Sequence, residues 1–106
     1  MFNLFTKSFD SISINEVDSL IGHKNIIDVR EAYEYQGGHL KGSRNIPMNI
    51  LMMDPDNFLN KEDEFYLLCH SGGRSGSVAR VLSSKGFKVI NLNGGIMSYS
   101  GNNVEY

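Results

Sequence analysis

Phe65-Tyr66-Leu67-Leu68-Cys69-His70-Ser71-Gly72-Gly73-Arg74-Ser75 is followed by Val78, Ala79, Val81 and Leu82 at helical spacing, so the stretch reads as strand, loop and helix in direct succession. The run Phe65–Cys69 is apolar without alternation, as in a strand covered on both faces of a parallel sheet. The Gly/Ser stretch from His70 to Gly76 is read as loop. The helix after it closes at Lys85-Gly86, a basic last turn with a glycine just beyond.

The same unit repeats outward. Downstream, Phe87–Leu92 reads as a strand, and Gly94-Gly95 turns the chain into a short helix around Ile96–Tyr99. Upstream, Asn25-Ile26-Ile27-Asp28-Val29 is a short β-branched strand, and Glu31–Gln36 a short helix stopped by Gly37-Gly38. Asn45-Ile46 reads as a strand closed by Pro47, Asn49–Met53 as one or two helical turns, and Pro55–Glu64 as acidic loop with a helical stretch at its centre. Ser13-Ile14-Asn15-Glu16 is a capping box, with Val17, Leu20 and Ile21 behind it at helical spacing and Phe9–Ile12 a short strand before it. Strands alternating with helices define an α/β fold with a parallel sheet.

With 106 residues, 41% hydrophobic and 21% charged, the chain is read as one domain, residues 1–106. Cys69 is the one cysteine, which excludes an intrachain disulfide, a CxxC pair and a cysteine-based zinc cluster. No apolar run approaches the length of a membrane span, and Met1–Lys7 lacks the regions of a signal peptide, so a cytoplasmic protein is expected. Residues 1–68 carry 6 basic and 11 acidic side chains, a sum of −5. Residues 69–106 carry Arg74, Arg80, Lys85 and Lys88 against Glu105, a sum of +3. That flip at Cys69 predicts an anion-attracting face near the cysteine. It is too small and too spread for nucleic acid.

Ligands of open α/β sheets sit beyond the carboxyl ends of strands, where Cys69 falls. Gly72 and Gly73 allow the backbone to curl, so that its N–H groups form an anion-binding nest at the positive end of the following helix. Arg74 adds a charged fork of donors. A cysteine at the mouth of this cradle is expected to have a depressed pKa and to be a nucleophile at neutral pH. An anion on that sulfur, including the outer sulfur of a persulfide, would meet the same N–H groups. The loop lacks the Gly-Lys-Ser/Thr of a nucleotide-binding P-loop.

Two segments resemble a known family. One is Asp28-Val29-Arg30-Glu31, Glu34-Tyr35, Gly38-His39-Leu40-Lys41-Gly42-Ser43-Arg44-Asn45-Ile46-Pro47. The other is Leu68-Cys69-His70-Ser71-Gly72-Gly73-Arg74-Ser75 with Gly86-Phe87, Val89 and Leu92-Asn93-Gly94-Gly95-Ile96. Both are similar to the single-domain rhodaneses, persulfide-forming sulfurtransferases. The resemblance implies a three-layer fold, a five-stranded parallel sheet with helices on both faces. It implies that Cys69 takes a sulfane sulfur from a small anionic donor (thiosulfate or a persulfide) and passes it to a thiol or cyanide acceptor, a protein donor or acceptor being a further option. In that scheme the backbone of His70, Ser71, Gly72, Gly73, Arg74 and Ser75 stabilises the persulfide and Arg74 helps draw in the donor, without cofactor, nucleic acid or membrane. Cys69 and Arg74 bound a six-residue loop. The phosphatases and arsenate reductases of this fold carry one residue more, so the shorter loop favours a single sulfur atom. A sulfur-carrier or protein-interaction module is the other alternative. Tyr99 stands where the family often has Trp, and His70 where it often has Arg.

His39 is read as structural, His23 as a surface residue, and His70 as either a tuner of donor binding or a solvated loop residue. Three scattered histidines and one cysteine make no metal set. Asp28 and Arg30 look like an acid–base pair but are expected on opposite strand faces, so as bracing and not as one unit. Met48, Met52 and Met53 are assigned to core, and Glu62-Asp63-Glu64 to a solvated approach to the strand.

Overall fold

The computed structural model describes residues 9–106; the reading of Met1–Lys7 as no leader lies outside the described residues. Strand β1 (Asp10–Ser13) runs into a 3₁₀ helix, Ile14–Ser19. The expected capping box is present: Ser13 Oγ accepts from the Asn15 N–H and the Glu16 carboxylate from the Ser13 N–H, each at 3.2 Å. In a 3₁₀ turn residues three apart eclipse, so Ile14 and Val17 share one buried stripe with the half-buried Leu20.

There follow β2 (Asn25–Asp28), α1 (Ala32–Gln36), β3 (His39–Leu40), β4 (Ser43–Asn45), α2 (Met48–Met53), a 3₁₀ turn at Pro55–Asn57, β5 (Glu64–Leu68), α3 (Gly73–Ser84), β6 (Lys88–Asn93), a 3₁₀ turn at Ile96–Ser98 and β7 (Val104–Glu105). Five strands form one parallel sheet in the order β1-β6-β5-β2-β4, with β5 central. The register aligns Ile27 with Leu67 and Leu67 with Asn91. Successive side chains leave a strand on opposite faces. Ile27, Val29, Phe65, Leu67, Cys69 and Val89 therefore meet Leu51 of α2 and Val78, Ala79 and Leu82 of α3. Ile26, Leu68 and Leu92 meet Ile14 and Val17 on the other side. The result is the three-layer α/β architecture, with two α-helices on one face and 3₁₀ turns on the other.

Three expectations change. Helix α3 starts at Gly73, so Arg74 and Ser75 belong to its first turn and not to a loop reaching Gly76. Gly72 ends the loop at φ +101°, and its carbonyl accepts the Gly76 N–H at 3.0 Å, the first helical bond. The strand expected at Asn45-Ile46 is Ser43–Asn45: the bond from the Ile46 N–H to the Asp28 carbonyl is the last of the ladder, and Pro47 has no N–H to extend it. A small antiparallel pair of β3 and β7, aligning His39 with Glu105, was not expected, since two-residue strands carry no periodic signal.

Asp28 and Arg30 also require a correction. Residues two apart share a strand face, and the two form a buried ion pair. Arg30 Nη2 donates to Asp28 Oδ2 at 2.8 Å and Arg30 Nε to Asp28 Oδ1 at 3.0 Å. Asp28 is 0% and Arg30 5% exposed. Arg30 Nη2 also donates to the Gly38 carbonyl at 2.8 Å, tying the end of β2 to the turn after α1. The bracing role fits; the separation does not. Replacing one partner strands the other's charge in the interior. Asp28→Ala is expected to cost about 3–5 kcal/mol in urea unfolding, and a loss near zero would show that the pair carries no structural weight.

Candidate active site at Cys69

Cys69 is the residue just past β5 and is 1% exposed. The chain leaves it in a tight curl because two carbonyls are captured from outside. The Ile96 N–H donates to the Cys69 carbonyl and the Met97 N–H to the His70 carbonyl, both at 2.9 Å. In a planar trans peptide the C=O and the next N–H point in opposite directions. Holding the His70 carbonyl toward Met97 therefore turns the Ser71 N–H inward to the sulfur. This capture depends on Gly95, whose φ is +63° and where a Cβ would sit inside the contact distance of the His70 and Cys69 carbonyls. Gly94-Gly95, read from sequence only as a turn, is thus a wall of the site. The signal was the double glycine itself, since a backbone pressed against another backbone admits no side chain.

The sulfur lies in a ring of donors. The Gly72 N–H reaches Sγ at 3.1 Å and Ser75 Oγ reaches it at 3.3 Å. Burial pushes the Cys69 thiol up. Hydrogen bonds from the Ser75 hydroxyl and from the backbone N–H groups of Ser75, Gly72 and Ser71 outweigh it, and the pKa ends below that of an ordinary thiol. The first turn of α3, a helix of 12 residues, supplies part of that ring and its positive end. Beneath the loop, buried Asn91 donates through Nδ2 to Asn93 Oδ1 at 3.0 Å and to the Gly72 carbonyl at 3.5 Å.

Arg74 does not present a free charge. Its Nη1 and Nη2 bind Glu34 Oε1 and Oε2 of α1 at 2.7 and 2.9 Å, a two-pronged ion pair. This pair holds the Glu34 carboxyl down to about 2. Nor does the charge flip at Cys69 create a basic face there. Lys85 follows the far end of α3 and Lys88 opens β6, pairing with Glu64 at the end of the strands opposite Cys69, while Arg80 stacks over Phe9. Glu34 was quoted from the sequence only as part of a motif, because 40 positions separate it from Arg74.

The remaining candidates fall into place. His70 and Ser71 are exposed on the rim. His39 stacks on Tyr35 at 3.8 Å between ring centroids, and its Nδ1 lies 2.8 Å from the Tyr35 carbonyl, a structural setting. His23 is exposed. Met48 and Met52 pack against the core, whereas Met53 is 83% exposed. Tyr99 donates to Asp18, and its own oxygen accepts the Asn103 N–H at 3.1 Å, fastening the segment after Met97 to the first 3₁₀ helix. Among the described residues no group of His, Cys, Asp and Glu could hold a metal ion, and no helix is long and apolar enough to cross a membrane.

The sequence pattern of the rhodanese-like domain matches residues 13–102, and the chain belongs to that family. Over 78 residues it is 44% identical to YrkF of Bacillus subtilis (strain 168), by name a candidate sulfur carrier protein; the match takes in 73% of this chain and 42% of YrkF. The chain thus spans less than half the length of that relative. It is 33% identical over 75 residues to the thiosulfate sulfurtransferase PspE of Escherichia coli (strain K12), covering 66% of this chain and 68% of PspE. Among solved structures, the rhodanese-like domain protein of Staphylococcus aureus superposes with a TM-score of 0.81 at 28% identity, over 92% of this chain and 97% of that one.

Two outcomes follow for the sulfur and its neighbours. The thiolate absorbance of Cys69 is expected to titrate below the ordinary thiol midpoint of about 8.5; Ser75→Ala and Gly95→Ala both move it upward, and an unmoved midpoint in both would refute the donor ring. For Glu34 the sign is that of a depressed carboxyl. Its contribution to stability is full above the ordinary 4.5 and is lost as pH falls toward about 2. Wild type is therefore expected to melt above Glu34→Gln near neutrality, with the gap closing across that window.

Proposed function

We propose that the chain, residues 1–106 as one domain, is a rhodanese-type sulfurtransferase that carries sulfane sulfur as a persulfide on Cys69. The observation that supports it most directly is the ring of Ser71, Gly72 and Ser75 donors aimed at one sulfur atom. Such a ring favours thiolate over thiol, and the anion of an added outer sulfur would stay within reach of the same donors.

The cycle has two displacements. The Cys69 thiolate attacks the sulfane sulfur of the donor; a new S–S bond forms, and the bond from that sulfur to the rest of the donor breaks, releasing sulfite from thiosulfate or a thiolate from a persulfide. A thiol or cyanide acceptor then attacks the outer sulfur, and the electron pair of the Cys69 S–S bond returns to Sγ. Each step is a substitution at sulfur and needs no external oxidant or reductant. Cys69 is the nucleophile, and the loop residues His70, Ser71 and Gly72 with Gly73, Arg74 and Ser75 of the first helical turn form the persulfide-binding segment. A cytoplasmic setting, where a lone thiol stays reduced, completes the reading. The family membership and the sulfurtransferase and sulfur-carrier names among relatives support sulfur transfer as the chemistry. Against phosphate ester hydrolysis stands Arg74, which is occupied by Glu34 and so is not free to clamp an oxyanion.

Incubation with a sulfane donor is expected to add the mass of one sulfur to the intact wild-type protein and none to Cys69→Ser. Turnover of thiosulfate or persulfide with cyanide should vanish in the same variant. No added sulfur with any of several donors would overturn the proposal.

A further inference from the structure

The charges gathered around the Cys69 loop cancel before any donor arrives. Two guanidiniums and two carboxylates are in electrostatic reach of one another there: Arg74 interacts with Glu34, Asp28 and Cys69, and Glu34 also with Arg30. They are locked as two pairs, Arg74–Glu34 with its shortest contact at 2.7 Å and Arg30–Asp28 with its shortest at 2.8 Å. Their sum is zero, and the Cys69 thiolate brings it to −1. The remaining basic residues after Cys69 stand elsewhere, as described above. The rim side chains His70 and Ser71 carry no fixed charge.

We infer that Glu34 is a specificity-determining residue: by occupying the guanidinium of Arg74, the fixed cation in the turn that follows the Cys69 loop, it removes a partner for a dianionic donor, and so selects alkyl or protein persulfides over thiosulfate. The inference rests on the sulfurtransferase reading and deepens it by naming the donor class. Like charges repel at short range in a site partly shielded from water. Thiosulfate brings two negative charges toward a set already at −1. A persulfide brings one at most, and in its protonated form none, while its sulfane sulfur meets the same backbone donors. The substitution is balanced for both: the Cys69 thiolate takes the sulfane sulfur, and the pair of the broken bond leaves with sulfite or with a thiolate. Glu34 acts through Arg74 and is a positioning residue. It does not touch the sulfur.

The pair geometry makes this testable by a mild change. Glu34 Oε1 also accepts the Glu31 N–H at 3.0 Å, a bond that Gln can keep. Loading of Cys69 is measured by intact mass and stopped-flow kinetics with thiosulfate and with a cysteine persulfide, at about pH 8, above the ordinary imidazole range. In wild type, the thiosulfate rate is expected to stay flat or rise with added salt, since nothing attractive is being screened. In Glu34→Gln, freed Arg74 should raise the ratio of thiosulfate to persulfide loading about tenfold, the effect of one unit charge at close range, as a lower KM with kcat little changed. The thiosulfate rate should then fall with salt. A merely structural Glu34 would lower both donors together and leave the salt slope alone. A wild-type thiosulfate rate that drops steeply with salt, or a ratio unmoved in the variant, overturns the inference while leaving sulfur transfer standing. Failure of both donors to load wild type overturns both.

Discussion

Two hydrogen bonds, from the Ile96 and Met97 N–H groups to the carbonyls of Cys69 and His70, set the orientation of the first two peptides of the loop around the sulfur, and the rest of the ring is built on them. They are ordinary in length, and each is worth only about 1 kcal/mol net. Their importance is directional. Because a peptide is rigid, fixing where a carbonyl points also fixes where the next N–H points. The loop then needs no side chain to define its lining except Ser75. The cost falls on the partner segment, where Gly95 has no room for a Cβ and where the Tyr99–Asp18 contact keeps the turn in place. The site is thus shared between the segment after β5 and the segment after β6, brought together by adjacent parallel strands.

The electrostatics follow a similar economy. The lowered thiol pKa comes from oriented dipoles and a hydroxyl, with burial working against it. Nearby full charges are already satisfied by each other. A loop lined by dipoles discriminates little by net charge of its own, and on the inference drawn for Glu34 the ion pairs bordering it decide which donors approach.

Much of this was legible in the chain. The apolar run Phe65–Leu68, the glycines after Cys69 and the 3.6-residue spacing from Val78 placed a strand, a curl and a helix in sequence, and each depends on local backbone preference. The capping box at Ser13 was legible for the same reason. What escaped depends on distant pairing. Glu34 and Arg74 are 40 positions apart, and nothing in either segment announces the other. The start of α3 at Gly73 was hidden because glycine and serine look like loop by composition, while the carbonyl of Gly72 and the N–H of Gly76 still close a helical turn. The Asp28–Arg30 pair follows the two-residue period of a strand, which puts both side chains on one face and not on the opposite faces expected. The charge flip at Cys69 was real as arithmetic but misleading as geography, since a helix of 12 residues carries its tail about 18 Å from its head.

One further consequence lies in the near-complete burial of the Cys69 side chain, 1% exposed. A thiol set that deep is reached only by a reactant that presents its sulfur at the mouth of the loop. Sulfur added to it in the proposed cycle extends the side chain by one atom. On the proposed chemistry the empty protein conceals its nucleophile and the charged protein displays its cargo. The depth of one atom would then act as a gauge, keeping two resting copies from meeting sulfur to sulfur and leaving the loaded state open to whichever acceptor comes.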